Sequence, residues 1–111
     1  MALKILMKRN YESIKKRGLI TEKTGFRDFS NKIFEECTEF DYEIMANGTK
    51  HFKDDIIDSD LPPFSDPIDF TKINEELADI ILVCLNFASH YGINIERELK
   101  NKIEKNFKRK D

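Results

Sequence analysis

The stretch Leu77-Ala78-Asp79-Ile80-Ile81-Leu82-Val83-Cys84-Leu85-Asn86-Phe87-Ala88 decides how the rest of the chain is read. Only Asp79 and Asn86 interrupt its apolar side chains. A segment that is apolar around its whole circumference predicts a helix buried almost all round. This third helix is expected to start at Asp66-Pro67, an N-cap residue followed by proline at the first helical position, and to end at Gly92. The fourth follows at once, with Asn94 as N-cap, Glu96 in the first turn and a basic end at Lys108, Arg109 and Lys110. Upstream, Thr24 is read as the N-cap of a second helix. Its apolar stripe is Phe26, Phe29, Ile33, Cys37, Phe40 and Ile44, and it stops at Asn47-Gly48. A first helix covers residues 2–17, with Leu3, Leu6, Met7 and Ile14 on one side and Gly18 as the left-handed residue after its end. The fold class is therefore all-α, a four-helix bundle, and a second copy of the chain is expected to complete burial of the third helix.

At 111 residues, the chain is read as one domain over residues 1–111. Residues 48–65 form a long irregular acidic loop with apolar interruptions at Ile56-Ile57, Leu61 and Phe64. Nineteen Lys and Arg against twenty-one Asp and Glu leave a net charge of −2. That balance argues against a nucleic-acid footprint and against a polybasic membrane anchor. No apolar run long enough to span a membrane and no cleavable leader is evident, so a cytoplasmic protein is expected. Cys37 and Cys84 fall in helix interiors rather than in a CxxC pair, and are expected to be reduced and buried.

Two acidic pairs carry the chemistry. Glu36 and Glu39 lie three residues apart along one flank of the second helix, and Glu76 and Asp79 repeat that spacing on the third. An acidic helix flank is by default a solvated face, but carboxylates on a helix meant for the interior require a counter-charge. Four oxygen donors projecting into one groove suit Mg²⁺, with Mn²⁺ as a substitute; no histidine stands at a spacing that would favour zinc or a di-iron centre. His51 and His90 read as a loop residue and a helix-end residue, and Tyr11 and Tyr42 as packing or surface residues before base-stacking ones. The fourth helix has Ile95, Leu99, Ile103 and Phe107 on its apolar face. Beside that face stand Lys102, Lys105, Asn106 and Arg109, a row of donors suited to phosphate oxygens.

The runs Glu35-Glu36-Cys37-Thr38-Glu39, Glu75-Glu76-Leu77-Ala78-Asp79-Ile80 and Tyr91-Gly92-Ile93-Asn94-Ile95-Glu96, followed by Asn101-Lys102 and Lys105-Asn106 through Arg109, resemble the MazG-like all-α nucleoside triphosphate pyrophosphohydrolases. The resemblance covers roughly residues 10–109. It implies a MazG-type fold, a homodimer or homotetramer, and Mg²⁺-dependent hydrolysis of an NTP or dNTP to the monophosphate and pyrophosphate. The role implied is pool control or removal of damaged nucleotides. Carried over by position, Glu36, Glu39, Glu76 and Asp79 would hold the metal, and Lys102, Lys105, Asn106 and Arg109 would engage the phosphates, with Lys105 and Arg109 the firmer pair. Glu35 and Glu75 would orient or deprotonate the attacking water. The stretch from Glu39 to Glu76 is longer than the short connection the family implies, and its inserted loop is expected to close over the nucleotide or brace a subunit contact. The competing reading is a non-enzymatic helical interaction module whose third helix is a dimerisation seam.

Overall fold

The computed structural model describes residues 2–48 and 70–110. The expected helix start at Asp66-Pro67, His51 and nearly all of the 48–65 loop lie outside them. Four α-helices are present, and no strand among the described residues: α1 Leu3–Lys16, α2 Phe26–Glu43, α3 Thr71–His90 and α4 Ile95–Lys108. A π-helical turn, Ile44–Gly48, continues α2. The all-α class read from the sequence is the one observed. No single helix among the described residues is long and apolar enough to cross a membrane.

Local chemistry sets the helix ends. Gly18, at φ +75°, lets the Gly18 and Leu19 N–H groups bond back to the Lys15 and Ile14 carbonyls. Gly92, at φ +65°, does the same for Gly92 and Ile93 against Ser89 and Ala88. Both are Schellman closures, which need a left-handed residue just past the helix and so favour glycine. Asn94 caps α4 by accepting from the Arg97 N–H at 3.2 Å, an interaction worth about 1 kcal/mol. α2 starts differently from the sequence reading. The Thr24 hydroxyl accepts from the Thr21 N–H instead of capping the helix, and the Asp28 carboxylate reaches back to the Gly25 N–H at 2.8 Å. α4 stops at Lys108, and Arg109 is its C-cap with extended backbone.

The chain forms two compact units, one of Met1–Phe29 with Leu82–Asp111 and the other of Ser30–Ile81. In the first, Ile20, Phe29, Val83, Leu85 and Ala88 are buried. Phe29 meets Phe87 edge-on, with ring centres 5.4 Å apart, and lies 5.2 Å from the His90 ring. His90 is bonded through both nitrogens, Nε2 to the Thr24 carbonyl at 3.0 Å and Nδ1 to the Tyr11 hydroxyl at 2.7 Å. A carbonyl only accepts, so Nε2 carries the proton of the neutral ring and Tyr11 donates to Nδ1. Asn86 is buried and accepts from the Asn10 amide at 2.7 Å. This bond satisfies one of the two polar interruptions of α3.

In the second unit Ile73 and Glu36 are buried, with Ile33, Phe40, Glu76 and Ile80 half-buried around them. Three expectations about burial are overturned, the first of them in part. α3 is enclosed nearly all round in its second half, where Val83, Leu85, Asn86 and Ala88 are buried, but in its first half the described residues leave Leu77 and Ile81 44% and 50% exposed. Cys37 and Cys84 are exposed, not buried, although no disulfide forms, as expected. The inward stripe of α2 runs through Phe29, Ile33, Glu36, Phe40 and Ile44, so Glu36 takes the inward place expected of Cys37. The reason is geometric. Positions 36 and 37 sit about 100° apart on the helix, and the neighbouring helix decides which edge of the stripe is enclosed.

Candidate metal centre

The candidate centre lies entirely within the Ser30–Ile81 unit and is built from one turn each of α2 and α3. A carboxylate oxygen from each of Glu36, Glu76 and Asp79 lies within 4.8 Å of the other two. Glu36 is only 6% exposed, Glu76 is half-buried and Asp79 faces solvent. Glu36 Oε2 and Glu76 Oε2 are both buried without a hydrogen-bond partner. A buried carboxylate oxygen left without a donor carries a desolvation cost of a few kcal/mol, and such an exception calls for a missing ligand or cation.

The charges respond to this crowding. Burial, then the Glu36 charge, push the Asp79 carboxyl above its ordinary value; Glu75 adds to the shift and Lys32 opposes it. Glu39 is fully exposed, yet its carboxyl is also raised, first by the Glu36 charge and then by slight desolvation and by Glu76. It therefore borders the cluster from the solvent side. Like charges this close favour proton uptake by one of them, or a cation among them.

Lys32 is a participant that no motif marks. Its Nζ lies 3.1 Å from Glu36 Oε1 and 3.4 Å from Glu35 Oε1, and both carboxylates raise the Lys32 pKa. The signal available in the sequence is its place four residues before Glu36, one turn earlier on the same helix face. Glu35 and Glu75 are both exposed, the first held by Lys32 and the second one turn before Asp79. Lys102, Lys105, Asn106 and Arg109 are all exposed and belong to the other unit.

The MazG-like family profile matches residues 49–111, more than half of the chain. The chain belongs to the MazG-like family. Within this MazG-like match fall Glu75, Glu76 and Asp79 and the whole of α4. α2, with Glu36 and Glu39, lies outside the match, so its link to the acidic centre comes from the geometry just described. The chain matches no curated protein and no solved structure significantly.

Carboxylate oxygens are hard donors that suit Mg²⁺ or Mn²⁺, and ions of this kind keep several positions open for water and phosphate. The donor set fits such an ion, because two of its oxygens are buried and lack any other partner. Glu36, Glu76 and Asp79 would hold it; Glu39, expected as a fourth ligand, stands outside that group of three at its exposed edge.

Proposed function

We propose that this MazG-like chain hydrolyses a nucleoside triphosphate, NTP or dNTP, to the monophosphate and pyrophosphate. The observation that carries the reading is the cluster of Glu36, Glu76 and Asp79, in which Glu36 and Glu76 each have a buried, unpartnered carboxylate oxygen, in a chain of this family. A divalent ion bound there neutralises phosphate charge and acidifies a water. The remaining roles fall to the chain. Glu36, Glu76 and Asp79 fix the ion's position, and Glu39 completes the oxygen set from the solvent side. Glu35 or Glu75, exposed one residue before the inner glutamates, takes the proton of the attacking water. Lys102, Lys105, Asn106 and Arg109 donate to phosphate oxygens, Arg109 as a planar fork. A cytoplasmic setting goes with such a substrate.

The active form in this reading is a homodimer or homotetramer. Its support is the apolar surface each unit leaves open: Leu99, Ile103 and Phe107 on α4 in one, and Phe34 and Leu77 in the other. Exposed apolar side chains gathered on one face favour association with a second copy.

The experiment is pyrophosphate release from the eight common nucleoside triphosphates, each with Mg²⁺ and with EDTA. At least one should be cleaved with Mg²⁺ and none with EDTA. Glu76→Gln should lower turnover by about a hundredfold or more with an unchanged helical spectrum. Release from none of the eight, and from none of their oxidised forms assayed alongside, would leave the interaction-module reading in its place.

A further inference from the structure

A cation of the chain's own sits at the acidic centre. Lys32 Nζ is 3.1 Å from Glu36 Oε1, on the residue whose other oxygen is buried and unpartnered. The Lys32 side chain is 49% exposed, and Glu35 offers it a second carboxylate at 3.4 Å. Its ammonium can therefore leave Glu36 for Glu35 and water without any change in the helix. A divalent ion gathered by Glu36, Glu76 and Asp79 would share the Glu36 carboxylate with Lys32, which already holds one of its two oxygens. Two cations a few ångströms apart repel each other.

We propose that Lys32 is the built-in counter-ion of the acidic cluster, seated on Glu36 until a divalent cation displaces it, so that this side chain sets how tightly the site binds metal. The proposal rests on the metal reading above. It assigns opposite effects to one charge. In the metal-free protein Lys32 compensates a buried carboxylate and stabilises the fold. In the metal-bound protein it is a competitor. An ion pair with only a structural role would have the first effect and not the second.

The test is a titration of the full chain with Mn²⁺ alone, by calorimetry or by loss of the free-ion EPR signal, at low and at raised KCl. Thermal unfolding in EDTA accompanies it. Lys32→Met keeps the aliphatic stem and removes the charge, Lys32→Gln removes the charge but keeps a donor for Glu36, and Lys32→Arg keeps the charge. Both neutral variants should bind Mn²⁺ about five- to tenfold more tightly than wild type at low ionic strength, with the gap narrowing as salt rises. Both should unfold at a lower temperature in EDTA. Lys32→Arg should stay within about twofold of wild type. Unchanged or weaker Mn²⁺ binding by the neutral variants, with wild type binding normally, overturns the proposal. Absence of Mn²⁺ binding by wild type overturns the metal reading itself, a result that needs no variant.

Discussion

Asp79→Asn should make the metal-free protein more stable and the metal-bound protein no better. The substitution keeps the shape of the side chain and deletes one of three negative charges whose oxygens lie within 4.8 Å of one another. Two unit charges at that 4.8 Å limit repel by about 3.5 kcal/mol at an effective dielectric near 20, and by about 0.9 kcal/mol in water. Asp79 is exposed, so the true figure for each pair lies toward the lower value. Relief against Glu36 and Glu76 is offset in part by the lost attraction to Lys32, which holds the Asp79 pKa down. The balance is a gain of about 1 kcal/mol, or roughly 4 °C in Tm for a chain of this size. The assay is thermal unfolding followed by helical circular dichroism at pH 8, in EDTA and in saturating Mg²⁺. Wild type should gain stability on adding Mg²⁺ by mass action. Asp79→Asn should start higher in EDTA and gain much less. A lower Tm in EDTA, or an undiminished gain with Mg²⁺, would refute the view that this carboxylate is held in the cluster at the expense of the apo fold.

The same repulsion sets a pH dependence. Asp79 and Glu39 both hold their protons more tightly in the fold than a free carboxyl does. Between the ordinary and the raised pKa the folded state binds more protons, so their unfavourable contribution grows as pH rises through that window and vanishes below it. The Tm advantage of Asp79→Asn over wild type in EDTA should accordingly shrink as pH is lowered through the raised Asp79 pKa toward the ordinary value of 3.8; an advantage that widens on acidification contradicts the sign. Association through the open apolar rows predicts that Ile103→Glu or Phe34→Glu, both at exposed positions, lowers the assembly size measured by light scattering while leaving the helical spectrum intact. A monomeric wild type, or variants that assemble as before, would remove the oligomer from the proposal.

What was readable along the chain, and what was not, divides by range. Gly18, Gly92 and Asn94 act through hydrogen bonds that reach three to five residues, so the ends of α1 and α3 and the start of α4 follow from local chemistry. The all-α class follows from the period of the apolar residues and the scarcity of turn formers. Inwardness does not follow from either. Glu36 sits on the edge of an apolar stripe, and only the approach of α3 brings it next to Glu76 and Asp79 while leaving Cys37 in solvent. His90 reads along the chain as a helix end; its partners Tyr11 and Thr24 are 79 and 66 residues away and become visible only in the fold. The third helix shows the same limit in reverse. Its composition calls for burial on every side, which one chain's described residues supply around Val83, Leu85 and Ala88 but not at Leu77 and Ile81.

Residue order alone therefore determined the helical class, the caps at Gly18, Gly92 and Asn94 and the acidic spacing, because these depend on interactions within a turn or two. Tertiary structure decided which carboxylates meet, which of their oxygens lack a donor and which lysine stands guard over them. Those are properties of charges brought to within a few ångströms by packing between helices, and helical periodicity places a side chain on a face without saying what that face will meet.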